Sequence, residues 1–157
     1  MTGRITAPSE ADPPPATSTS AAAAAPAARA AAGTPDRVEI RIPAAGAYLA
    51  LLRTAVAGLA ARLDFTLDDI DDLRIAVDEA SALVLTQLSA YDQLECTVTL
   101  SSDAITVAVS GAAEHAQPPR RDTFAWTVLT ALVDEVETEV EGGRISVILR
   151  KFGGAPA

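Results

Sequence analysis

Two adjacent carboxylates, Asp78 and Glu79, stand in the middle of the run Asp68 to Leu88, DDIDDLRIAVDEASALVLTQL. The acids that precede them have a local explanation. Asp68, Asp69, Asp71 and Asp72 crowd the start of the run, where a helix dipole favours negative charge. Asp78 and Glu79 fall well beyond that favourable end. Glu79 shares a helix face with Leu83 and Gln87, at i, i+4 and i+8. A carboxylate so placed is either a scaffold residue, solvated or paired with a cation such as Arg74, or a group doing chemistry.

The element that must hold these acids is a long helix. Ile70, Leu73, Val77, Ala80, Val84 and Leu88 recur at steps of three and four, which marks a buried stripe. Thr66, with Asp69 three residues on, gives a start like a capping box. Around this helix the chain predicts a strand over Arg37 to Ile42, alternating perfectly and closed by Pro43. A helix follows over Tyr48 to Leu63, its apolar face Leu49, Leu52, Val56, Leu59 and Leu63, with Arg53 and Arg62 off that face. Leu94 to Leu100 and Ile105 to Val109 read as a hairpin joined at Ser101-Ser102-Asp103. Gly111 to Asp122 is a loop, Phe124 to Val133 a short helix, and Val136 to Val140 with Arg144 to Phe152 a second hairpin about Gly142-Gly143. Strands and helices interleave without regular alternation. The expected class is α+β, a mixed, mainly antiparallel sheet with helices on one face.

Residues 1 to 36 are low in complexity: Pro13-Pro14-Pro15, a Ser/Thr patch, then alanines broken by Pro26. They lack the large apolar side chains that offset ordering entropy, and a disordered tail is expected. The expected domain is 37 to 152, with a short tail from 153 to 157. The alanine run follows an acidic, proline-rich stretch, the wrong order for a secretion signal. No run of 18 strongly apolar residues is present, so no membrane span is expected, and the cytoplasm is the expected compartment.

Net charge is −9, of which residues 1 to 36 carry −1, leaving −8 on the folded part. Nucleic acid and anionic membrane are poor partners for such a surface, whereas a basic protein suits it. Cys96, the single cysteine, excludes an intrachain disulfide and alternates with Val98 and Leu100 as a small buried hydrophobe. With one histidine and one cysteine there is no zinc constellation, and no metal site is expected. Gly-x-Ser-x-Gly and phosphate-loop patterns are absent. Trp126, the single tryptophan, reads as core or as an interface anchor. Arginine outnumbers lysine eleven to one and alanine dominates, a bias shared with proteins of GC-rich bacteria such as actinobacteria.

Asp72-Leu73-Arg74-Ile75-Ala76-Val77-Asp78-Glu79-Ala80 resembles the signature helix of bacterial anti-sigma factors with the histidine-kinase-like ATPase fold. Ala131 to Glu137, ALVDEVE, is similar to that family's last helix entering its next strand, and the order of elements matches over residues 37 to 152. In the family the glutamate is the general base of a serine kinase, which places that role on Glu79. Four residues on, an asparagine holds magnesium between the phosphates; here it is Leu83, which has no oxygen to offer a hard cation. The adenine-reading aspartate falls within Val109-Ser110-Gly111-Ala112-Ala113, where there is none. The phosphate-facing glycines fall on Thr123 and Ala125, although bare backbone is what lets a phosphate approach. Leu83, Ser110, Gly111, Thr123 and Ala125 are thus degenerate ATP-site positions. His115, Arg120 and Arg121 are either loop groups able to touch phosphate or merely solvated.

The resemblance implies an anti-sigma factor of the partner-switching type, concerned with stress responses. It would sequester an alternative sigma factor of RNA polymerase and be released by an anti-anti-sigma antagonist of the STAS type. It also implies a homodimer, and a sigma-binding surface on the first helix for which Arg53 is the candidate. With the site degenerate, the expectation is a binder, with ATP and magnesium held weakly if at all. The alternative is an active ATP-dependent protein serine kinase that phosphorylates the antagonist. A third reading is an adaptor on the same scaffold that binds only an antagonist-like domain.

Overall fold

Alternation of apolar residues along five strands sets the sheet, and the computed structural model describes residues 34 to 153. The tail expected over residues 1 to 36 lies outside the described residues but for its last three, and so does residue 154 onward. Strands β1 (Asp36–Pro43), β2 (Gln93–Leu100), β3 (Ala104–Ala112), β4 (Glu135–Glu141) and β5 (Arg144–Phe152) form one sheet in the order β1-β2-β3-β5-β4. The mainly antiparallel sheet expected is antiparallel at every one of these pairings. Helices α1 (Leu49–Ala60), α2 (Leu67–Leu85) and α3 (Phe124–Leu132) supply the second layer.

One face of the sheet is buried. Leu94, Cys96 and Val98 of β2, Val107 and Val109 of β3, and Ile145, Val147 and Leu149 of β5 are all fully shielded. They meet Leu52 and Val56 of α1, Leu73, Val77, Ala80 and Val84 of α2, and Trp126 and Leu129 of α3 in a single core. Residues of opposite parity, such as Thr97, Thr106, Ala108 and Ile148, line a face that none of the described helices covers. Cys96 is buried as expected, and burial pushes its thiol up to about 12, leaving it protonated and unreactive.

Helix α2 begins as its sequence predicts. The Thr66 hydroxyl accepts from the Asp69 N–H at 3.1 Å, and the Asp69 carboxylate accepts from the Thr66 N–H at 3.1 Å. Its end differs from expectation. Regular helix stops at Leu85, and residues 87 and 88 continue in tighter i→i−3 bonds, Gln87 N–H to Val84 and Leu88 N–H to Leu85. The Thr86 hydroxyl donates to the Leu83 carbonyl at 2.7 Å, competing for the helix's last acceptors. The first helix is also shorter than expected. A 3₁₀ turn, Gly46–Tyr48, leads into it, and it closes at Ala60.

Candidate functional site

Helix α2 crosses the centre of the covered face, between α1 and α3 and over β3 and β5. Its exposed flank carries Leu83, Thr86 and Gln87. With His115, Gln117, Pro118, Pro119 and Arg120 of the loop after β3, these line a shallow cleft of about 360 Å³. Glu79 lies one turn before Leu83 on the same face. It is half-buried and takes part in no ion pair among the described residues. Arg74, the cation considered for it, pairs instead with Asp71 at 3.0 Å. Glu79 and Leu83 are therefore neighbours at the cleft, as the spacing requires.

Strand parity separates the next two candidates. Gly111 is buried on the helix side, whereas Ser110 points to the open face, where its hydroxyl accepts from Arg144 at 2.9 Å. Arg144 also pairs with Glu95 across the sheet. On the helix side the space beside Gly111 is taken. The δ-methyl groups of Leu88 stand 2.6 and 2.8 Å from where a Gly111 β-carbon would lie. The tightened end of α2 is what places Leu88 in that position.

The loop that follows is fastened to the same helix. Gln87 donates from Nε2 to the Gln117 carbonyl at 2.9 Å, and its Oε1 accepts from the Gln117 N–H at 2.9 Å. One side-chain amide thus satisfies both backbone groups of one loop residue, a two-point clasp. Thr123 is the N-cap of α3: its hydroxyl accepts from the Trp126 N–H at 3.3 Å. Ala125 is half-buried within the first turn. Arg120 is held by Asp122 through contacts of 3.0 and 2.5 Å. That ion pair holds the Asp122 carboxyl below its usual value and raises the Arg120 guanidinium. Arg121 stacks over the Trp126 ring at 5.1 Å. Of the three loop groups considered for phosphate, His115 alone lines the cleft without a partner among the described residues.

ATP with magnesium is the group that this architecture implies, and the residues present do not fit it. Leu83 presents hydrocarbon where an oxygen is needed. An aspartate at 111 would have to displace the Leu88 side chain. The α3 N-terminus, which in a phosphate site offers free N–H groups, has one of them capped by Thr123.

Two features escaped the sequence reading. Lys151, the single lysine, is 8% exposed. Its ammonium donates to the Leu132 carbonyl at 2.9 Å and lies 3.4 Å from Asp69 and 3.6 Å from Asp72. It thus ties the end of α3 to the acidic start of α2, whose charge the helix dipole alone had explained. Its parity with Ile145, Val147 and Leu149 was the available signal. Arg53, the candidate for partner contact, pairs with Asp78 at 2.5 Å in a notch between α1 and α2 that Asp71, Arg74 and Ile75 complete. The second Asp78 oxygen and the Ser81 hydroxyl are buried without a hydrogen-bond partner among the described residues.

No protein-family profile matches the chain. Over 116 residues it is 34% identical to the anti-sigma-F factor RsbW of Mycobacterium tuberculosis, covering 74% of this chain and 69% of that protein. It is 36% identical over 63 residues to the serine-protein kinase RsbW of Bacillus cereus, covering 40% of this chain and 39% of that one. Among solved structures, that of the RsbU and RsbW domains of Rv1364c from Mycobacterium tuberculosis superposes with a TM-score of 0.61 at 16% identity. That match covers 78% of this chain and 34% of the other, and it shows the shared histidine-kinase-like ATPase fold. The chain belongs to the RsbW family of anti-sigma factors and serine-protein kinases.

Proposed function

We propose that this chain is an anti-sigma factor that works by binding alone. Its domain, residues 37 to 152, sequesters an alternative sigma factor and is released when a STAS-type antagonist competes for it. It acts as a homodimer in the cytoplasm, and no phosphoryl transfer is needed. The observation that carries this reading is the filled space at Gly111, where Leu88 stands in place of a nucleotide-reading carboxylate. The Gln87–Gln117 clasp and the leucine at 83 support it. The kinase alternative is favoured by one observation, the half-buried Glu79 beside the cleft, which has no ion-pair partner among the described residues.

A reconstituted transcription assay separates the two. The purified chain should silence one alternative sigma factor at near-equal molarity, and an added antagonist should restore transcription whether or not ATP was preincubated with both regulators. Loss of that rescue after ATP preincubation, with phosphate gained by the antagonist, would establish the kinase. Failure to retain any sigma factor, with the antagonist still bound, would establish the adaptor.

A further inference from the structure

The loop after β3, residues 113 to 123, is the longest connection between elements of the described domain. Its two ends are tied. The Ala113 N–H donates to the Gly143 carbonyl at 2.9 Å, and the Thr123 hydroxyl donates to the Arg120 carbonyl at 3.1 Å. Over residues 114 to 119 the side-chain amide of Gln87 is the one hydrogen-bonded tie to another element among the described residues. Burial adds little there. Glu114, His115, Gln117 and Pro118 are exposed, and only Ala116 packs against the core. A connection so long and so little buried is mobile unless something fastens it.

Gln87 is placed for that task by the tightened end of α2. Its backbone N–H bonds to the Val84 carbonyl at 3.0 Å, while its side chain bonds to nothing else in the helix. The clasp also divides the space beneath the loop. On one side lies a hollow of about 740 Å³ walled by Ser89, Asp92 and Gly143, and on the other the cleft of about 360 Å³ walled by Leu83, Pro118 and Arg120. Thr86, Gln87 and His115 line both. A ligand that spanned the two hollows would have to displace the amide.

We propose that Gln87 is a built-in latch: its amide closes the loop with no ligand bound, and the closed loop is the form that the sigma factor meets. The second half of this inference rests on the binding-only reading above. A latch made of two neutral hydrogen bonds is worth little more than the water bonds it replaces, so the loop opens and recloses readily. Binding then draws on the closed fraction alone, and that fraction is set by a side chain and not by the nucleotide level.

The test is NMR relaxation and hydrogen exchange on the full chain, followed by surface plasmon resonance with the sigma factor silenced in the transcription assay. In the wild type, residues 114 to 119 should have backbone order parameters of about 0.85, as in a rigid strand. In Gln87→Ala they should fall below about 0.6, and the Gln117 amide should exchange about tenfold faster, with the strands unchanged. Gln87→Glu keeps the length but sets a carboxylate against the Gln117 carbonyl, and it should open the loop as the alanine does. ATP with magnesium should reorder the loop in neither variant. Association of the sigma factor should slow by about tenfold in both variants, with dissociation little changed, because only the closed fraction binds. A loop that stays ordered in both variants would overturn the latch. A loop that loosens while association is unchanged would overturn its part in meeting the sigma factor. A loop reordered by ATP and magnesium would be a ligand-closed lid, which overturns the latch and favours the kinase alternative. If the wild type retained no sigma factor, the binding-only reading and the second half of the inference would fall together, while loop order would still decide the latch.

Discussion

Leu88 fills the space that a side chain at Gly111 would need, its nearest methyl 2.6 Å from the absent β-carbon. Gly111 lies in a strand and has no positive φ, so the glycine is retained for space and not for conformation. Gly111→Ala should therefore destabilise by about 1 kcal/mol through overpacking. In a Leu88→Ala background the same change should be neutral or stabilising, because alanine is the better strand residue once the space is free. A double-mutant cycle by urea unfolding should give a coupling of about 1 kcal/mol. Additive effects would mean that Leu88 does not occupy this space in solution.

Thr123 caps the N-terminus of α3, and threonine and glycine differ little as helix caps. Thr123→Gly should cost only a few tenths of a kcal/mol, about what glycine costs at other N-caps, whereas Thr123→Ala should cost about 1 kcal/mol. The ordering matters, since equal losses would show that the hydroxyl does not cap α3. Calorimetry of Thr123→Gly with ATP and magnesium should still show no tight binding, because Leu83 and Leu88 are unchanged.

Local pattern made most of this fold readable. The β1 alternation, the α2 stripe and the Thr66–Asp69 box involve residues at most four apart, where covalent geometry fixes which side chains meet. The same parity rule, applied strictly, would have parted Ser110 from Gly111, which were both read as nucleotide positions. What could not be read are contacts that depend on how distant elements pack. Gln87 meets Gln117 across thirty residues, and Lys151 reaches Asp69 from the last strand. Leu88 was read correctly as part of an apolar stripe. Its position against Gly111 follows from the tightening of α2 after Leu85, which periodicity alone does not encode.

Asp69 should give the fold an acid limit. Its carboxyl is held below the ordinary value of 3.8, first by the Thr66 hydroxyl, then by the Thr66 N–H and Lys151, against burial, which raises it. A depressed carboxyl contributes stability above its unfolded pKa, and that contribution is lost as pH falls through the folded one. Thr66→Ala should cost about 1 kcal/mol at pH 7. The gap between variant and wild type should narrow below pH 3.8, where protonation removes the same interaction. Urea unfolding at pH 7 and pH 3 measures both, and a constant gap would remove Asp69 from the account.

Lys151 should matter more than any surface cation. Replacing it with methionine keeps the volume but leaves the Leu132 carbonyl without its donor and the two nearby aspartates without their cation. A loss of about 2 kcal/mol is expected, mainly from the Leu132 carbonyl left without its donor, since the two aspartates are partly exposed. Arg62→Met, at an exposed pair 3.9 Å from Asp36, should cost under about 1 kcal/mol. Similar losses in the two variants would show that Lys151 is solvated.

Arg53 combines a structural and a proposed binding role, and the two can be separated. Its guanidinium is held by Asp78 at 2.5 Å, while the other Asp78 oxygen is buried without a partner among the described residues. Arg53→Ala removes the cation and any partner contact it makes. Asp78→Asn breaks the ion pair but keeps the guanidinium at the surface. Both should lower stability by about 1 kcal/mol, the scale of a partly exposed pair. If Arg53 touches the sigma factor, Arg53→Ala should weaken the complex by about tenfold or more, and Asp78→Asn should weaken it far less or tighten it. Raised salt should slow association of the wild type more than it speeds dissociation, since an acidic domain steers a basic partner. Surface plasmon resonance at two salt concentrations reads all of these quantities. Equal weakening in the two variants would show that the pair only shapes the notch, and Arg53 would lose its place in the interface.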